Sequence, residues 1–163
     1  MSALFPLVAQ GAVSRRKGKT LVGPVDLTLT GSGTTVIIGP NGSGKTTLLG
    51  LLHGTARLSG GSVTWACDVE TARAAQSFVF QRPVMLRRSV GENLAYPLQI
   101  RGIARRDIAS RVADWAERVG LGDMLKRSAL ALSGGEQQKL ALARALITNP
   151  DLCLLYTSDA ADD

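Results

Sequence analysis

Aromatic residues make up only 4% of this 163-residue chain, cysteine occurs twice, and no apolar run approaches 18 residues. A helix that crosses a bilayer needs about 20 apolar residues, so a spanning segment is not expected. The stretch from Met1 to Val13 has no basic n-region of the kind an export signal requires, and the chain is expected to be neither exported nor membrane-spanning. Cys67 and Cys153 lie far apart without metal-type spacing, which argues for reduced thiols in a cytosolic setting. Acidic residues are also few. Lys and Arg outnumber Asp and Glu by 19 to 13, and Asp159, Asp162 and Asp163 crowd into the last five positions. This excess fits an anionic partner such as a nucleotide phosphate, a nucleic acid or an acidic membrane surface, and charge alone does not choose among them.

The composition is otherwise that of an ordinary globular domain, 45% hydrophobic and 20% charged, and a chain of this length buries roughly 70% of its unfolded surface. The 18 glycines show no triplet period and cluster at a few places, which excludes collagen and points to turns or ligand loops. Val25, Leu27 and Leu29 alternate with polar residues, which predicts a half-buried strand ending at Gly31-Ser32-Gly33. Val36, Ile37 and Ile38 predict a short, wholly apolar strand. A glycine-rich loop follows, and then a helix from Lys45 to about Arg57 with Leu48, Leu49, Leu51 and Leu52 on its buried face. Further strands are predicted at residues 63–65, 77–80 and 151–155. Ile108, Val112, Trp115 and Val119 line one helix face while Arg105, Arg106, Arg111 and Arg118 look outward. Another helix spans residues 135–148, stopped by Asn149-Pro150.

Gly39, Pro40, Asn41, Gly42, Ser43, Gly44, Lys45 and Thr46 match G-x-x-x-x-G-K-[ST] at every fixed position, between an apolar strand and a helix start. The chemistry explains the residue types. Gly42 and Gly44 let backbone N–H groups approach phosphate oxygens, and the dipole end of the next helix adds to the anion site. Lys45 supplies a mobile ammonium for the β and γ phosphates, and Thr46 a hydroxyl for Mg²⁺. The loop is therefore expected to bind a nucleoside triphosphate with magnesium.

The tetrapeptide Leu-Ser-Gly-Gly occurs twice, at residues 58–61 and 132–135. The first precedes the alternating residues 62–65 and predicts a hairpin turn. The second precedes Glu136, Gln137 and Gln138 and a long helix, which makes Ser133 an N-cap and Glu136 its capping-box partner.

Residues 39–47 including Thr47, then Gln81 at a strand end, then Leu132-Ser133-Gly134-Gly135-Glu136-Gln137-Gln138, occur in the order that resembles the nucleotide-binding subunit of an ATP-binding cassette (ABC) transporter. The resemblance runs from about Val22 to Leu152. It implies an α/β P-loop NTPase fold: a RecA-like parallel sheet core, an antiparallel β subdomain and an inserted helical subdomain at about residues 84–132, within an ATP-binding domain of residues 1–152. It also implies that two cassettes pair head to tail, a second copy or a homologous one, with each ATP held between one P-loop and the partner's Ser133, Gly134, Gly135, Glu136 and Gln137. Gln81 would then meet Mg²⁺, the γ-phosphate and the attacking water, and Lys45 and Gln81 would serve catalysis. The implied partners are membrane permease subunits, the implied place is the cytoplasmic face of the cell membrane, and no nucleic acid is expected. The run Gln81-Arg-Pro83 with residues 84–97 is similar to cassettes of importers for oxyanions such as tungstate, molybdate or phosphate. Two other readings remain, a soluble cassette ATPase acting on ribosomes or DNA and a non-catalytic nucleotide-binding fragment.

The chain departs from the family in three places. Where the family closes a strand with a magnesium-holding aspartate and a general-base glutamate, this sequence has Tyr156, Thr157 and Ser158, so hydrolysis is expected to be poor. The run Cys153-Leu-Leu-Tyr-Thr-Ser-Asp-Ala-Ala-Asp162 also reads as the translation of a transposase adapter used in sequencing libraries. Residues 153–163 are therefore expected to be a non-native tail on a domain incomplete at its C-terminus. His53 is expected to be an ordinary helix residue and not the family's switch histidine. Where the family stacks an aromatic on adenine, Arg15, Arg16 and Lys17 stand instead, with Arg16 either a stacking candidate or part of a loop charge cluster.

Overall fold

The computed structural model of the chain describes residues 3–156, which divide into two compact units, Met1–Ser77 and Phe78–Asp163.

The first unit is built on an antiparallel sheet in the order β2-β1-β3, with β1 at Leu7–Arg16, β2 at Lys19–Leu29 and β3 at Gly60–Thr64. The predicted alternation holds in β2, where Leu29, Thr28 and Leu27 oppose Leu7, Val8 and Ala9. The sequence pattern did not reveal β1, because Gly11 and a change of register interrupt its alternation; its buried residues are Leu7, Ala9, Ala12 and Ser14. Lys17 (φ 49°) and Gly18 (φ 77°) close the β1–β2 hairpin with two residues of positive φ, the geometry that matches strand twist. Arg15, Arg16 and Lys17 thus sit at an exposed hairpin end.

Two expectations are corrected here. The first Leu-Ser-Gly-Gly is not a hairpin turn, because Gly60 and Gly61 already belong to β3, whose partner β1 lies far upstream in sequence. Ser59 fastens this entry: its N–H donates to the Val13 carbonyl at 2.7 Å, and its hydroxyl accepts from Arg15 N–H at 3.0 Å. Residues 36–38 do not form a strand. An apolar run becomes a strand only where a neighbour takes up its N–H and C=O groups, and no described strand pairs with it. Val36 and Ile38 are consequently 72% and 85% exposed.

α1 (Lys45–His53) buries Leu48, Leu51 and Leu52 and stops four residues sooner than expected, where Gly54 (φ 83°) turns back and donates to Gly50 and Leu51. A short helix, α2 (Val69–Ala75), is capped by Asp68, whose Oδ1 accepts from Glu70 and Thr71 N–H at 3.0 Å.

In the second unit, β4 (Gln76–Val79), which begins just before the boundary, pairs with β5 (Leu152–Leu155). The predicted strand 151–155 is thus present in slightly shorter form, and Tyr156 N–H donates to the Val79 carbonyl at 3.0 Å. The helices are α3 (Val90–Ile100), α4 (Arg105–Arg118) and α5 (Gly134–Leu146). They enclose a core in which Val90, Leu94, Leu98, Leu121 and Leu140 are almost wholly buried, each leucine contributing about 1.5–3 kcal/mol of apolar burial. Ile108 and Val112 face this core as predicted, joined by Ala116, while Trp115 and Val119 are only partly buried against it. Among the described residues no helix is long and apolar enough to cross a membrane. Thr157, Ser158 and the rest of the expected tail from residue 157 onward lie outside the described residues.

Candidate functional site

The glycine-rich loop leads from residues 36–38 into α1. Gly42 (φ 81°) and Gly44 (φ 93°) both take the left-handed conformation that disfavours a side chain. Ser43 N–H donates to the Pro40 carbonyl at 3.2 Å, folding the loop back on itself. Gly44 occupies the N-cap of α1, where most helices place a side-chain oxygen; none caps this helix, and its first turn carries no acid. The result is a helix start whose amides and positive dipole end are offered to an outside anion.

Lys45 reaches back across the loop, its Nζ donating to the Gly39 carbonyl and, at 3.3 Å, to that of Pro40. Thr46 is exposed at the same helix start, Thr47 half-buried, and Pro40, Asn41 and Ser43 are exposed. This donor set fits a triphosphate, with several amides, one ammonium and no competing carboxylate. Among the described residues no group of three or more His, Cys, Asp and Glu could hold a metal ion. A magnesium ion here would take most of its ligands from phosphates and water, which is its usual mode.

In the second unit, Gln81 lies two residues beyond β4, exposed and without a hydrogen bond among the described residues. The second Leu-Ser-Gly-Gly forms the predicted capping box. Ser133 Oγ accepts from Glu136 N–H at 3.4 Å, and Glu136 Oε2 accepts from Ser133 N–H at 2.7 Å and from its hydroxyl at 2.8 Å. Those bonds from the Ser133 amide and hydroxyl hold the Glu136 carboxyl below its usual range. Gln137 Nε2 donates to the Leu132 carbonyl at 3.1 Å.

Gly134 and Gly135 differ in kind from Gly44. A Cβ on either would meet nothing within 4 Å, and neither has a positive φ. Two glycines in the first turn cost helix stability, about 0.5–1 kcal/mol each in a helix interior, and nothing in the fold of this unit calls for them.

A profile of the ABC transporter family matches residues 22–156. The chain belongs to the ABC transporter family. It is 39% identical over 147 residues to the tungstate uptake system ATP-binding protein TupC of Peptoclostridium acidaminophilum, covering 90% of this chain and 69% of that protein. It is 43% identical over 141 residues to the lipoprotein-releasing system ATP-binding protein LolD of Alcanivorax borkumensis, covering 80% of this chain and 62% of that one. Against solved structures, a bacterial Atm1-family ABC exporter with ATP bound superposes with a TM-score of 0.79 at 25% identity, over 97% of this chain and 30% of that one. The cbiO1 protein of Clostridium perfringens, part of the transporter complex cbiONQ, gives 0.78 at 21% identity over 93% and 65%. The chain thus has the ABC ATPase fold and spans about two thirds or less of these relatives.

Two polar residues of the second unit escaped the sequence reading. Asn93 is fully buried inside α3, and Arg144 is half-buried on α5. The available signal was a polar Asn four residues after Ser89, the N-cap of α3, a weak one beside the louder motifs.

Proposed function

We propose that this chain is the ATP-binding part of an ABC importer that powers uptake of an oxyanion, working as one of two head-to-tail cassettes beneath membrane permease subunits on the cytoplasmic face. The single observation that carries the nucleotide assignment is the uncapped, acid-free start of α1 behind the positive-φ glycines 42 and 44. Lys45 would exchange the Gly39 and Pro40 carbonyls for the β and γ phosphates, an anion being a better partner for an ammonium than a neutral carbonyl. Amides of residues 42–47 would hold the phosphate chain. The Thr46 hydroxyl of the first unit and the Gln81 side chain of the second are each proposed as a ligand for Mg²⁺, which would offset charge on the transferring phosphoryl group. Gln81 would also orient the attacking water. The bare Gly134 and Gly135, with Ser133, Glu136 and Gln137 around them, supply a second amide surface for the triphosphate of a partner cassette, which accounts for glycines the fold does not need.

The domain reading places residues 84–132 as a helical subdomain inserted into an ATP-binding domain of residues 1–152, and α3 and α4 fall in that interval. Tyr156 stands where a magnesium-binding carboxylate is expected, so turnover by this chain is poor even where binding is retained. Similarity to the tungstate uptake protein supports an oxyanion cargo. The test is titration with a fluorescent ATP analogue in the presence of Mg²⁺, comparing the chain with Lys45→Ala. Saturable binding lost in the variant supports the reading, and equal binding by both overturns it. Copurification with permease subunits tests the transporter assignment separately.

A further inference from the structure

We infer that Arg144 is a positioning residue for Gln81: it fastens the segment that follows Gln81 to helix α5, so that the glutamine is carried on a short span held at both ends. Upstream, the Val79 carbonyl is held by Tyr156 N–H at 3.0 Å. Downstream, Arg144 Nη2 donates to the Val84 carbonyl at 2.7 Å. Between these anchors residues 80–82 are exposed. Phe80, 59% exposed, leans on the Phe78 ring at 4.6 Å between centroids, and Gln81 itself has no hydrogen bond among the described residues, so its place depends largely on the ends of the span.

The downstream anchor is doubled through Asn93. Arg144 Nη1 donates to Asn93 Oδ1 at 3.0 Å, and the same oxygen accepts from Leu86 N–H at 3.1 Å. Asn93 Nδ2 in turn donates to the carbonyls of Leu86, Arg88 and Ser89 at 3.3, 3.4 and 2.9 Å. One buried amide and one guanidinium therefore hold four backbone positions of residues 84–89, all bonded to side chains of α3 and α5.

The choice of arginine is informative. Its half-buried guanidinium has no carboxylate partner among the described residues, so its charge is desolvated against neutral oxygens only, an arrangement that an apolar side chain of equal volume would often better for stability alone. What an apolar side chain lacks is the planar fork that fixes two acceptors at a set separation. Arg144 lies eleven residues after Ser133 on the same helix, so the fork ties the Gln81 span to the helix that begins at the second glycine pair.

This inference rests on the role of Gln81 given above, and the experiment separates the two. The full chain is titrated with a fluorescent ATP analogue, with and without Mg²⁺, as wild type, Gln81→Ala, Arg144→Met, Arg144→Lys and the double variant Gln81→Ala/Arg144→Met. Arg144→Met is expected to remove most of the Mg²⁺-dependent gain in affinity, about fivefold or more, with the Mg²⁺-free affinity unchanged and with no further loss in the double variant. Arg144→Lys, which keeps the cation but not the fork, shows the same loss and serves if the methionine variant does not fold. If Gln81→Ala loses the gain while both Arg144 variants keep it, the inference is overturned. If Gln81→Ala keeps the gain, the role of Gln81 fails instead. Amide hydrogen exchange then decides the anchoring: faster exchange at Leu86 N–H in Arg144→Lys, with Leu94 unchanged, upholds it, and unchanged exchange at Leu86 overturns it.

Discussion

A Cβ on Gly44 would stand 2.5 Å from the carbonyl oxygen of Leu21, on the strand β2 that precedes the loop. The glycine is thus required twice, by its φ of 93° and by the approach of neighbouring backbone. Gly44→Ala is expected to destabilise the first unit by at least about 1–3 kcal/mol, the usual cost of a side chain forced into such a region, and to weaken binding of an ATP analogue. Thermal unfolding and titration check both; an alanine variant with wild-type stability would show that the loop is laxer than described.

The two Leu-Ser-Gly-Gly copies should respond oppositely to alanine. At Gly61 (φ 73°) a Cβ would overlap the Gly11 carbonyl, so Gly61→Ala should disrupt β1–β3 pairing and lower the unfolding temperature. Gly134→Ala and Gly135→Ala meet open space and should leave stability equal or raise it by up to about 1 kcal/mol through helix propensity. If these glycines face a partner's triphosphate, the same substitutions abolish any ATP-dependent dimer seen by light scattering.

Acid should loosen the second unit through its two capping boxes. Bonds from the amide and hydroxyl of Ser89 and of Ser133 hold Glu92 and Glu136 below the usual carboxylate range. A carboxyl lowered on folding stabilises above its unfolded pKa, and that contribution is lost as pH falls through the folded value. Stability measured from pH 6 downward should therefore decline below about 4.5, with a smaller slope in Glu92→Gln/Glu136→Gln.

His53 gives the first unit a dependence in a different window. Burial, and then the charge of Arg73, lower its pKa from 6.5. The unfolded chain takes up the proton first, so stability falls as pH drops through about 6.5 and levels off below the folded value. His53→Gln should flatten the unfolding temperature between pH 7 and 5.

Much of this was legible in the sequence, for physical reasons that differ by element. The nucleotide loop and the Ser133 box announce themselves because each depends on residue types at fixed short spacings. The apolar face of α4 shows in its 3.6-residue period. β1 was hidden because Gly11 breaks its alternation, and the first glycine pair misled because a strand entry beside a bulge uses the same residues as a turn. Residues 36–38 carry a clear strand pattern, but a strand needs a neighbour that local sequence does not supply. The Asn93–Arg144 pair lies beyond any local pattern, since its partners are 51 residues apart.

The bareness of Val36 and Ile38 also governs how the protein behaves in a tube. Exposed apolar residues outside any described strand invite the extended backbone of other copies to pair with them, the usual beginning of precipitation. A single cation at Ile38, which touches solvent over 85% of its area, should raise the concentration at which the chain stays dispersed while leaving its melting within about 0.5 kcal/mol of the original. The handling of this chain is therefore governed by Val36 and Ile38, which no described strand covers, as well as by its basic surface.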